Sequence, residues 1–482
     1  MKHAILIIAH KNYSFLHHLI EYFERDCYVF VHIDKKSDIT KEQMTCLREM
    51  PQVAGVYRKY SVHWGGFSIL KCELFLLRKA HETCDAEYFH LISGQDYPIK
   101  PLETFLDFFE NLDYRECIQY VHLPHPQWEK GTYDRFKFYY FFDFVSRNEK
   151  NVKRVNDIVA WQKRNGIKRR IPDYFDYLYG CSQWFSITDR GVDIILNYTK
   201  CHPAFLRRLR YTFAPEECYI ATVLLNKLPS EKIYPKNCRY IRWKKENNNY
   251  PANLSIRHFF MLAVSDCLFA RKMELPVSAE LLQTIDKYLI TDAKFNLLPH
   301  GGWNYNGFLK YTYSEKLMFV IHKFCVRQSI REVLDLGCGP GYYVQALRAL
   351  GIAVTGYDAN PHTSYLSSLI LPKNDDCCHV GDITDEMECE STFGFVICMD
   401  VLTYIPHSLW NKAIDNIVSM GNKFILISID FIQLNDVLNQ KEIEQIFVRK
   451  GLYLDVQVTE LFRSVKHDDE RNELFFMFKK QC

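Results

Sequence analysis

The chain has 482 residues, and its 60 Lys and Arg against 58 Asp and Glu leave a formal charge of +2. Dedicated nucleic-acid-binding proteins carry a clear basic excess, so this balance argues against that class of protein. The length predicts two or three domains, and 48% hydrophobic with 24% charged residues is typical of a globular protein. An aromatic content of 15% fits sugar-binding clefts, although most of those rings must belong to the core.

The first residues do not form a secretory signal. The apolar core of such a signal needs about 7 or more residues. Residues 4–9 are apolar, but His10 and Lys11 end the run before it reaches this length. No stretch approaches the roughly 18 apolar residues of a membrane span. The cysteines are scattered without a Cys-x-x-Cys pair, which predicts reduced and mostly buried thiols. We therefore expect a cytoplasmic protein.

The first 290 residues alternate short β-rich runs with helical stretches. Strands are predicted at Ala4–Ala9, Tyr28–Ile33, Tyr88–Ser93 and Trp184–Thr188, and the clearest helix at Ser68–His81. This alternation predicts an α/β domain around a mostly parallel sheet. A second βα alternation begins at Glu332, after a stretch of loop composition. We predict domains over 1–292 and 310–482, joined by a linker over 293–309.

Several segments of the first half carry candidate chemistry. Asp34 ends a strand, where it either belongs to a solvated turn or hydrogen-bonds a nucleotide. Trp64 and Gly65 offer a stacking face beside backbone that a ligand can approach closely. A helix that starts at Pro215 has Glu216 and Glu217 in its first turn, where acids are also normal partners of the helix dipole.

In their order and spacing, these segments resemble glycosyltransferase family 14, which contains core-2/I-branching β-1,6-N-acetylglucosaminyltransferases and protein O-xylosyltransferases. The matching blocks are Val31–Lys36, Trp64–Gly66, Ser93–Pro98, Gly180–Phe185 and Phe269–Lys272. The resemblance implies a GT-A-like fold, a UDP-sugar donor (xylose or N-acetylglucosamine) and inversion at the anomeric carbon. It places the catalytic glutamate of the family at Glu217.

An inverting transfer needs a base for the acceptor hydroxyl and positive charge beside the departing diphosphate. Glu217 is predicted to be the base. No Asp-x-Asp occurs between Met1 and Thr291, so we predict that no metal is required and that Arg271 and Lys272 replace it. The predicted donor-binding residues are Asp34, Trp64, Gly65, Asp96, Arg242, Arg271 and Lys272, of which Arg242 is the weaker third cation.

The second half begins with a buried strand, a glycine turn and a helix. The strand and turn Val333–Gly341 precede a helical run at 343–350, an arrangement that brings backbone N–H groups close to a ligand. Tyr342 stands where the dinucleotide fingerprint has its third glycine, which weakens an NAD interpretation. A second strand ends in Asp358, which is placed to accept hydrogen bonds from ribose hydroxyls.

Together with Asp382 and Asp400 after the next two strands, this half resembles a class I S-adenosylmethionine-dependent methyltransferase. The resemblance implies a Rossmann-like fold and S-adenosylmethionine as cofactor. It assigns the methionine-binding loop to Asp335, Gly337, Gly339 and Gly341, the ribose to Asp358, the adenine to Asp382 and the methyl side to Asp400. The alternative is a degenerate domain that no longer binds the cofactor. Tyr404 and His407 are either positioning groups for the acceptor or structural residues.

Residues 150–170 contain eight Lys and Arg and one acid, Asp157. Such a run is either a solvated face or a contact with anionic lipid headgroups or a lipid-diphosphate-linked glycan at the inner face of a membrane. Taken together, the sequence predicts a bifunctional enzyme that transfers a sugar to a glycan or lipid-linked acceptor and methylates a hydroxyl. The alternatives are a glycosyltransferase beside an inactive methyltransferase domain, and a non-catalytic scaffold that keeps both pockets.

Overall fold

The structure is a computed structural model that describes residues 1–24, 26–125, 133–246, 249–263, 265–290, 314–369, 371, 376–385, 392–431, 439–465 and 473–480. The chain divides into two compact units. The first unit comprises Met1–His258 and Ser265–Ile285, and the second comprises Phe259–Val264 and Asp286–Cys482. The predicted linker lies outside the described residues, and its boundaries stay predictions.

The strands are β1 (His3–Ala9), β2 (Cys27–Ile33), β3 (Val53–Tyr57), β4 (Tyr88–Ser93), β5 (Asp96–Pro98), β6 (Glu116–Cys117), β7 (Tyr120–His122), β8 (Tyr179–Cys181), β9 (Ser186–Thr188), β10 (Ile233–Tyr234), β11 (Arg239–Ile241), β12 (Phe269–Arg271), β13 (Glu332–Leu336), β14 (Ala353–Asp358), β15 (Cys378–Val380), β16 (Phe393–Met399), β17 (Gly421–Asp430), β18 (Leu452–Leu454) and β19 (Glu473–Lys480). The α-helices are α1 (Tyr13–Glu21), α2 (Lys41–Glu49), α3 (Phe67–Thr83), α4 (Leu102–Glu110), α5 (Asp134–Lys137), α6 (Glu149–Arg164), α7 (Asp189–Cys201), α8 (Pro203–Arg208), α9 (Glu216–Leu225), α10 (Phe259–Ala263), α11 (Ala279–Ile285), α12 (Glu315–Arg327), α13 (Tyr342–Ala349), α14 (Thr363–Ser368), α15 (Trp410–Met420), α16 (Gln440–Arg449) and α17 (Val456–Arg463).

The main sheet of the first unit has the order β10-β6-β9-β4-β1-β2-β3. The central strand β1 is almost entirely apolar and buried, and it pairs in parallel with β2 and β4, as expected for a sheet that is covered on both faces. Strand β9 is antiparallel to β4 and β6. It begins at Ser186, two residues later than predicted, because the Trp184 N–H donates to Ser182 Oγ in a local turn.

A smaller sheet in the same unit joins β5, β12 and β11. Strand β12 is parallel to β11 and antiparallel to β5, and its register sets Arg271 opposite both Asp96 and Ile241. The small sheet therefore brings the basic segment after residue 268 beside the turn that follows β4, although the two are far apart in sequence.

The sheet of the second unit has the order β15-β14-β13-β16-β17-β19-β18. Alternate residues of its strands enter two different cores. Val333, Val354 and Phe395 pack with helices α12 and α13, whereas Leu334 and Val396 pack with helices α15 and α16. Helices therefore cover both faces of a mostly parallel sheet, which confirms the predicted Rossmann-like α/β architecture.

Most of the cysteines that the structure describes are buried thiols without a disulfide partner. Within the described part of the chain, none of the helices combines the length and the apolar character that crossing a membrane requires.

Candidate functional sites

Helix α9 carries both predicted acids of its first turn, and their environments differ. The side chain of Glu217 is 35% exposed, whereas Glu216 is buried. Arg135, which is fully buried, donates from Nη1 to Glu217 Oε2 over 3.2 Å. The guanidinium fixes the Glu217 carboxylate and leaves part of it accessible, which is the arrangement that a base for a bound hydroxyl requires.

A third carboxyl group, that of Glu73 on α3, lies in the same electrostatic neighbourhood. Burial raises the pKa of Glu73 well above its usual value, and the Glu217 charge adds to the effect. Burial likewise raises the pKa of Glu216, with further contributions from Glu217 and Glu73. Gln183 Nε2 donates to Glu73 Oε1 over 3.0 Å. Since adjacent negative charges are unfavourable in a buried setting, the Glu217 charge favours the neutral forms of Glu73 and Glu216.

The Trp64–Gly65 turn lies beside the start of helix α9. The Ala214 N–H donates to the Gly65 carbonyl over 3.0 Å, and the Trp64 and Phe213 ring centroids are 5.5 Å apart. Gly65 has a φ of +70°, and a Cβ at this position would lie 2.8 Å from the Phe213 ring. Trp64 is 38% exposed, so its ring offers a stacking surface next to the Glu217 segment.

Arg271 is held by an acid and by an aromatic ring. Its Nη1 lies 3.6 Å from Asp96 Oδ2, and the guanidinium stands 4.0 Å from the Trp184 ring centroid. Asp96 is fully buried and also accepts from the N–H and the hydroxyl of Ser93. Asp96 therefore orients Arg271 and closes the turn after β4.

Lys272 lies among other cations. Burial and, after it, the charges of Arg147, Arg271 and Lys11 together lower its pKa to about 8, while Glu274 opposes the shift. Lys11 is itself neutralised by Glu274, whose two oxygens lie 2.8 and 2.6 Å from its Nζ. The positive charges around Lys272 repel its ammonium group. An anionic ligand bound among them would relieve this repulsion.

Arg147 is a residue that the sequence analysis missed. Its guanidinium lies 4.6 Å from the centroid of the Trp64 ring, so it connects the aromatic turn to the charge around Lys272. His63, next to Trp64, holds the same segment through a 2.9 Å contact between Nδ1 and the Val145 carbonyl oxygen. No sequence pattern indicated this position, because the contact joins segments about 80 residues apart.

Asp34 and Arg242 have partners of their own. The Asp34 carboxylate accepts from the N–H of Lys36 over 2.8 Å and of Val62 over 3.3 Å, which orders the turn after β2. Arg242 pairs with Glu246, with contacts of 3.2 Å from Nε and 3.1 Å from Nη2. Glu246 therefore pairs with the predicted third cation, and a role of Arg242 in donor binding stays a prediction.

Among the residues that the structure describes, one group of side chains is close enough to share a metal: His81, Asp189 and Asp193. The His81 Nε2 lies 3.3 and 3.2 Å from these two carboxylates, and both aspartates are exposed. None of the predicted donor-binding residues belongs to this group. Metal independence stays a prediction.

The glycine loop of the second unit follows β13 as predicted. Gly337, Gly339 and Gly341 all have positive φ, and a Cβ at Gly337 would lie 2.1 Å from Val401 Cγ2. Asp358, at the end of β14, accepts from the Gly339 N–H over 2.8 Å and so fastens the loop to the next strand.

Two buried acids lie at this loop. Burial and, to a smaller extent, the Asp358 charge together raise the pKa of Asp335 to about 7. Burial also raises the pKa of Asp358, although N–H donors oppose the shift. A cationic ligand with hydroxyl groups, such as S-adenosylmethionine with its ammonium, sulfonium and ribose, fits these two carboxyls.

The other predicted residues of this unit follow the neighbouring strands. Asp382 Oδ1 accepts from the N–H and the hydroxyl of Thr384, each over 2.8 Å. Asp400 has a φ of +54°, and its N–H donates to Ser428 Oγ over 2.9 Å. The Tyr404 hydroxyl lies 3.5 Å from Asp400 Oδ2, whereas the His407 ring faces Trp410, 5.4 Å away between centroids. Tyr404 therefore lies at the strand-end acid, and His407 packs on the following helix.

Comparison with known proteins agrees with this division. Residues 4–262 match the sequence model of the family described as Core-2/I-Branching enzyme, and residues 305–480 match a model described as Methyltransferase domain. Human xylosyltransferase 1 is 23% identical over 297 residues, which are 55% of this chain and 28% of that protein.

The second half has relatives of its own. The ubiquinone biosynthesis O-methyltransferase of Rickettsia akari is 28% identical over 132 residues, 26% of this chain and 52% of that protein. A crystal structure of magnesium protoporphyrin IX methyltransferase from Synechocystis with bound SAM covers 34% of this chain and 79% of that chain, at 16% identity and a TM-score of 0.28.

The molecule is thus a glycosyltransferase domain followed by a methyltransferase domain with the Rossmann-like class I fold. The chain belongs to the core-2/I-branching enzyme family, glycosyltransferase family 14, and it is xylosyltransferase-like in that domain. It spans less than a third of the length of the human relative.

Proposed function

We propose that the first unit transfers xylose or N-acetylglucosamine from a UDP-sugar to an acceptor hydroxyl, with inversion and without a metal. In this mechanism Glu217 removes the proton of the acceptor hydroxyl as its oxygen attacks the anomeric carbon. Arg271 and Lys272 stabilise the charge that develops on the departing UDP diphosphate. The human relative is named a xylosyltransferase, which supports this donor class.

The observation that carries the proposal is the group of cations Arg147, Arg271 and Lys272. Burial, and after it the charges of Arg147 and Arg271, lower the pKa of Lys272. A diphosphate brings two negative groups into this environment and would be bound by charge-assisted contacts. Arg147 supplies the third cation of the proposed site, because Arg242 already forms an ion pair with Glu246.

Glu217 is supported as the base by its geometry. It is accessible and held by Arg135, while its neighbour Glu216 is buried. Trp64 connects the two parts of the proposed site, since its ring contacts both Phe213, near Glu217, and Arg147. The acceptor hydroxyl is expected to approach across the exposed face of Trp64.

For the second unit, the proposal is S-adenosylmethionine-dependent O-methylation. Asp335 and Asp358 would hold the cofactor at the glycine loop, while Asp382 and Asp400 complete the pocket at neighbouring strand ends. When bound, the cofactor supplies an electrophilic methyl group. The Rickettsia akari relative is named an O-methyltransferase, which supports a hydroxyl group as the methyl acceptor.

The test of the first activity is a panel of UDP-xylose, UDP-N-acetylglucosamine, UDP-glucose and UDP-galactose, read by UDP release with and without a chelator. We expect release from one of the first two donors that the chelator does not change. Chelator-sensitive release would refute the metal-free mechanism, and no release with any donor would favour the scaffold alternative.

The test of the second activity is calorimetric titration with S-adenosylmethionine, comparing the wild type with Asp358→Ala. Binding to the wild type and at least about tenfold weaker binding to the variant are expected, because the substitution removes the acceptor of the Gly339 N–H. An absence of binding to both would identify a degenerate domain. A methylation rate that is equal on glycosylated and unglycosylated acceptors would contradict a shared substrate for the two units.

A further inference from the structure

Helix α6 (Glu149–Arg164) presents a basic stripe that includes a tryptophan near its C-terminal end. At 100° per residue, Lys150, Arg154, Trp161 and Arg164 fall within an arc of roughly 80° on one side of the helix. All four are exposed, and Trp161 is 51% exposed. Asp157 is the acid within the stripe, so the stripe carries three cations and one carboxylate, with the indole between Arg154 and Arg164 in sequence.

The opposite side of the helix fixes it to the first unit. Val155 and Val159 are buried in a small core with Phe138 and Phe142, and Gln162 bonds both to the N–H and to the carbonyl of Tyr139, over 2.8 and 2.9 Å. The helix is therefore anchored by one side, and its orientation leaves the basic stripe facing solvent.

Lys163 lies outside the stripe, and its Nζ pairs with Asp134 Oδ2 over 2.6 Å. Lys150, Arg154 and Arg164 have no ion pair among the residues that the structure describes, and each is exposed. The protein as a whole carries a formal charge of only +2, so attraction to an anionic surface would be local to this stripe and would orient the molecule.

From this geometry we propose that the stripe Lys150–Arg154–Trp161–Arg164 docks the first unit onto an anionic phospholipid surface. Lys and Arg bind the phosphate and carboxylate groups of the lipids, and an exposed indole partitions into the headgroup region. A soluble polyanion would use the cations but gives no role to the exposed Trp161, which favours the membrane. The inference stands independently of the sugar transfer.

The position of the stripe gives docking a consequence for the neighbouring site. Helix α6 begins two residues after Arg147, whose guanidinium lies over the Trp64 ring. One continuous segment therefore links the docking surface to the proposed donor site. If the proposed sugar transfer holds, docking would bring that site to an acceptor carried by the membrane.

The experiment is co-sedimentation of the full chain with phosphatidylcholine vesicles that contain or lack about a third phosphatidylserine. We expect binding only to the anionic vesicles and its loss at high salt. The variant Lys150→Glu/Arg154→Glu/Arg164→Glu should bind at least about tenfold more weakly, because each basic residue near a membrane contributes appreciably. The matched control is Lys200→Glu/Arg207→Glu/Lys227→Glu, which changes the net charge equally at exposed positions elsewhere and should bind as the wild type does.

A second measurement separates a membrane from a soluble anion. Vesicles with brominated acyl chains should quench part of the tryptophan fluorescence of the wild type, and Trp161→Phe should abolish that quenching while retaining its circular dichroism spectrum. Equal binding by the two charge variants would overturn the proposal. Binding to inorganic polyphosphate without quenching by brominated vesicles would overturn it in favour of a soluble polyanion.

Discussion

The candidate site of the first unit consists mainly of charged side chains, whereas that of the second unit depends mainly on the backbone of a glycine loop. In the first unit, charged side chains from distant segments converge: Lys11 follows β1, Arg147 precedes α6, and Arg271 ends β12. In the second unit, the candidate site is centred on a single loop between β13 and α13, whose glycines have positive φ, with acids at the ends of neighbouring strands. A site of the first kind should respond to changes in charge, whereas a site of the second kind should respond to added volume.

The same contrast predicts how the sites fail. Charges in a partly buried group interact over several ångströms, so the effect of one substitution depends on the partners that remain. A glycine with positive φ keeps its backbone conformation only while no side chain clashes with its surroundings. Adding one methyl group can therefore displace the loop without changing any charge. Three pairs of variants, each with an internal control, and one pH profile test this difference.

The largest effect is expected from Glu217→Gln. Removing the base should lower kcat for sugar transfer by about 10²- to 10⁴-fold, because a neutral amide cannot accept the hydroxyl proton. Glu73→Gln is the matched control. Glu73 is fully buried and burial raises its pKa, so a neutral amide should be tolerated there and activity should stay within about threefold. Steady-state rates with the preferred donor measure both variants, and a larger loss in Glu73→Gln would mean that the base is misassigned.

The second pair compares Arg271, which ends β12, with Arg242, which directly follows β11. Arg271→Met should lower kcat/KM for the donor by about 10²- to 10³-fold, since it removes a cation that is proposed to stabilise the leaving group. Arg242→Met should cost less than about tenfold, because Glu246 already neutralises that guanidinium. Thermal unfolding of both variants controls for folding. Equal losses in catalysis would contradict the replacement of Arg242 by Arg147 in the proposed site.

The third pair compares two glycines of the second unit. Gly337 and Gly351 have φ of +78° and +86°, but a Cβ would meet Val401 at Gly337 and nothing within 4 Å at Gly351. Both alanine variants should lose about 1–2 kcal/mol of stability from backbone strain. Only Gly337→Ala should also weaken S-adenosylmethionine binding, by at least about tenfold in a calorimetric titration. Gly337→Ala/Val401→Ala should recover part of that affinity, and a failure to recover it would refute the steric explanation.

The glycine loop could be predicted in detail from the sequence because strand, turn and helix are contiguous there. The strands β13, β14 and β16 and the acids at their ends follow short local patterns, and the structure has them within about two residues of the predicted positions. In the first unit, the apolar runs of β1, β2 and β4 were equally clear. Local hydrophobic periodicity determines such elements.

The partners of the charged residues could not be predicted in the same way. Arg135 and Arg147 lie in an aromatic and basic stretch without a motif. Arg135 contacts Glu217, which is 82 residues away in the sequence, and Arg147 contacts Trp64, which is similarly distant. Arg242 follows a strand in a favourable position, but its pairing with Glu246 depends on the local turn. Side-chain pairing is decided by tertiary packing, which a single sequence does not encode locally.

The smallest effect, and the finest test of the charge-based site, is the pH dependence of Lys272. Burial and the neighbouring cations lower its pKa to about 8, and an ammonium group is charged only below its pKa. In the free enzyme, kcat/KM for the donor should therefore fall as the pH rises through about 8, because the diphosphate loses a cation. In Lys272→Arg the guanidinium stays charged, so that decline should move to higher pH even if the maximal rate drops several-fold. A decline that remains at the same pH in the variant would assign it to another group and would remove Lys272 from the proposed diphosphate site.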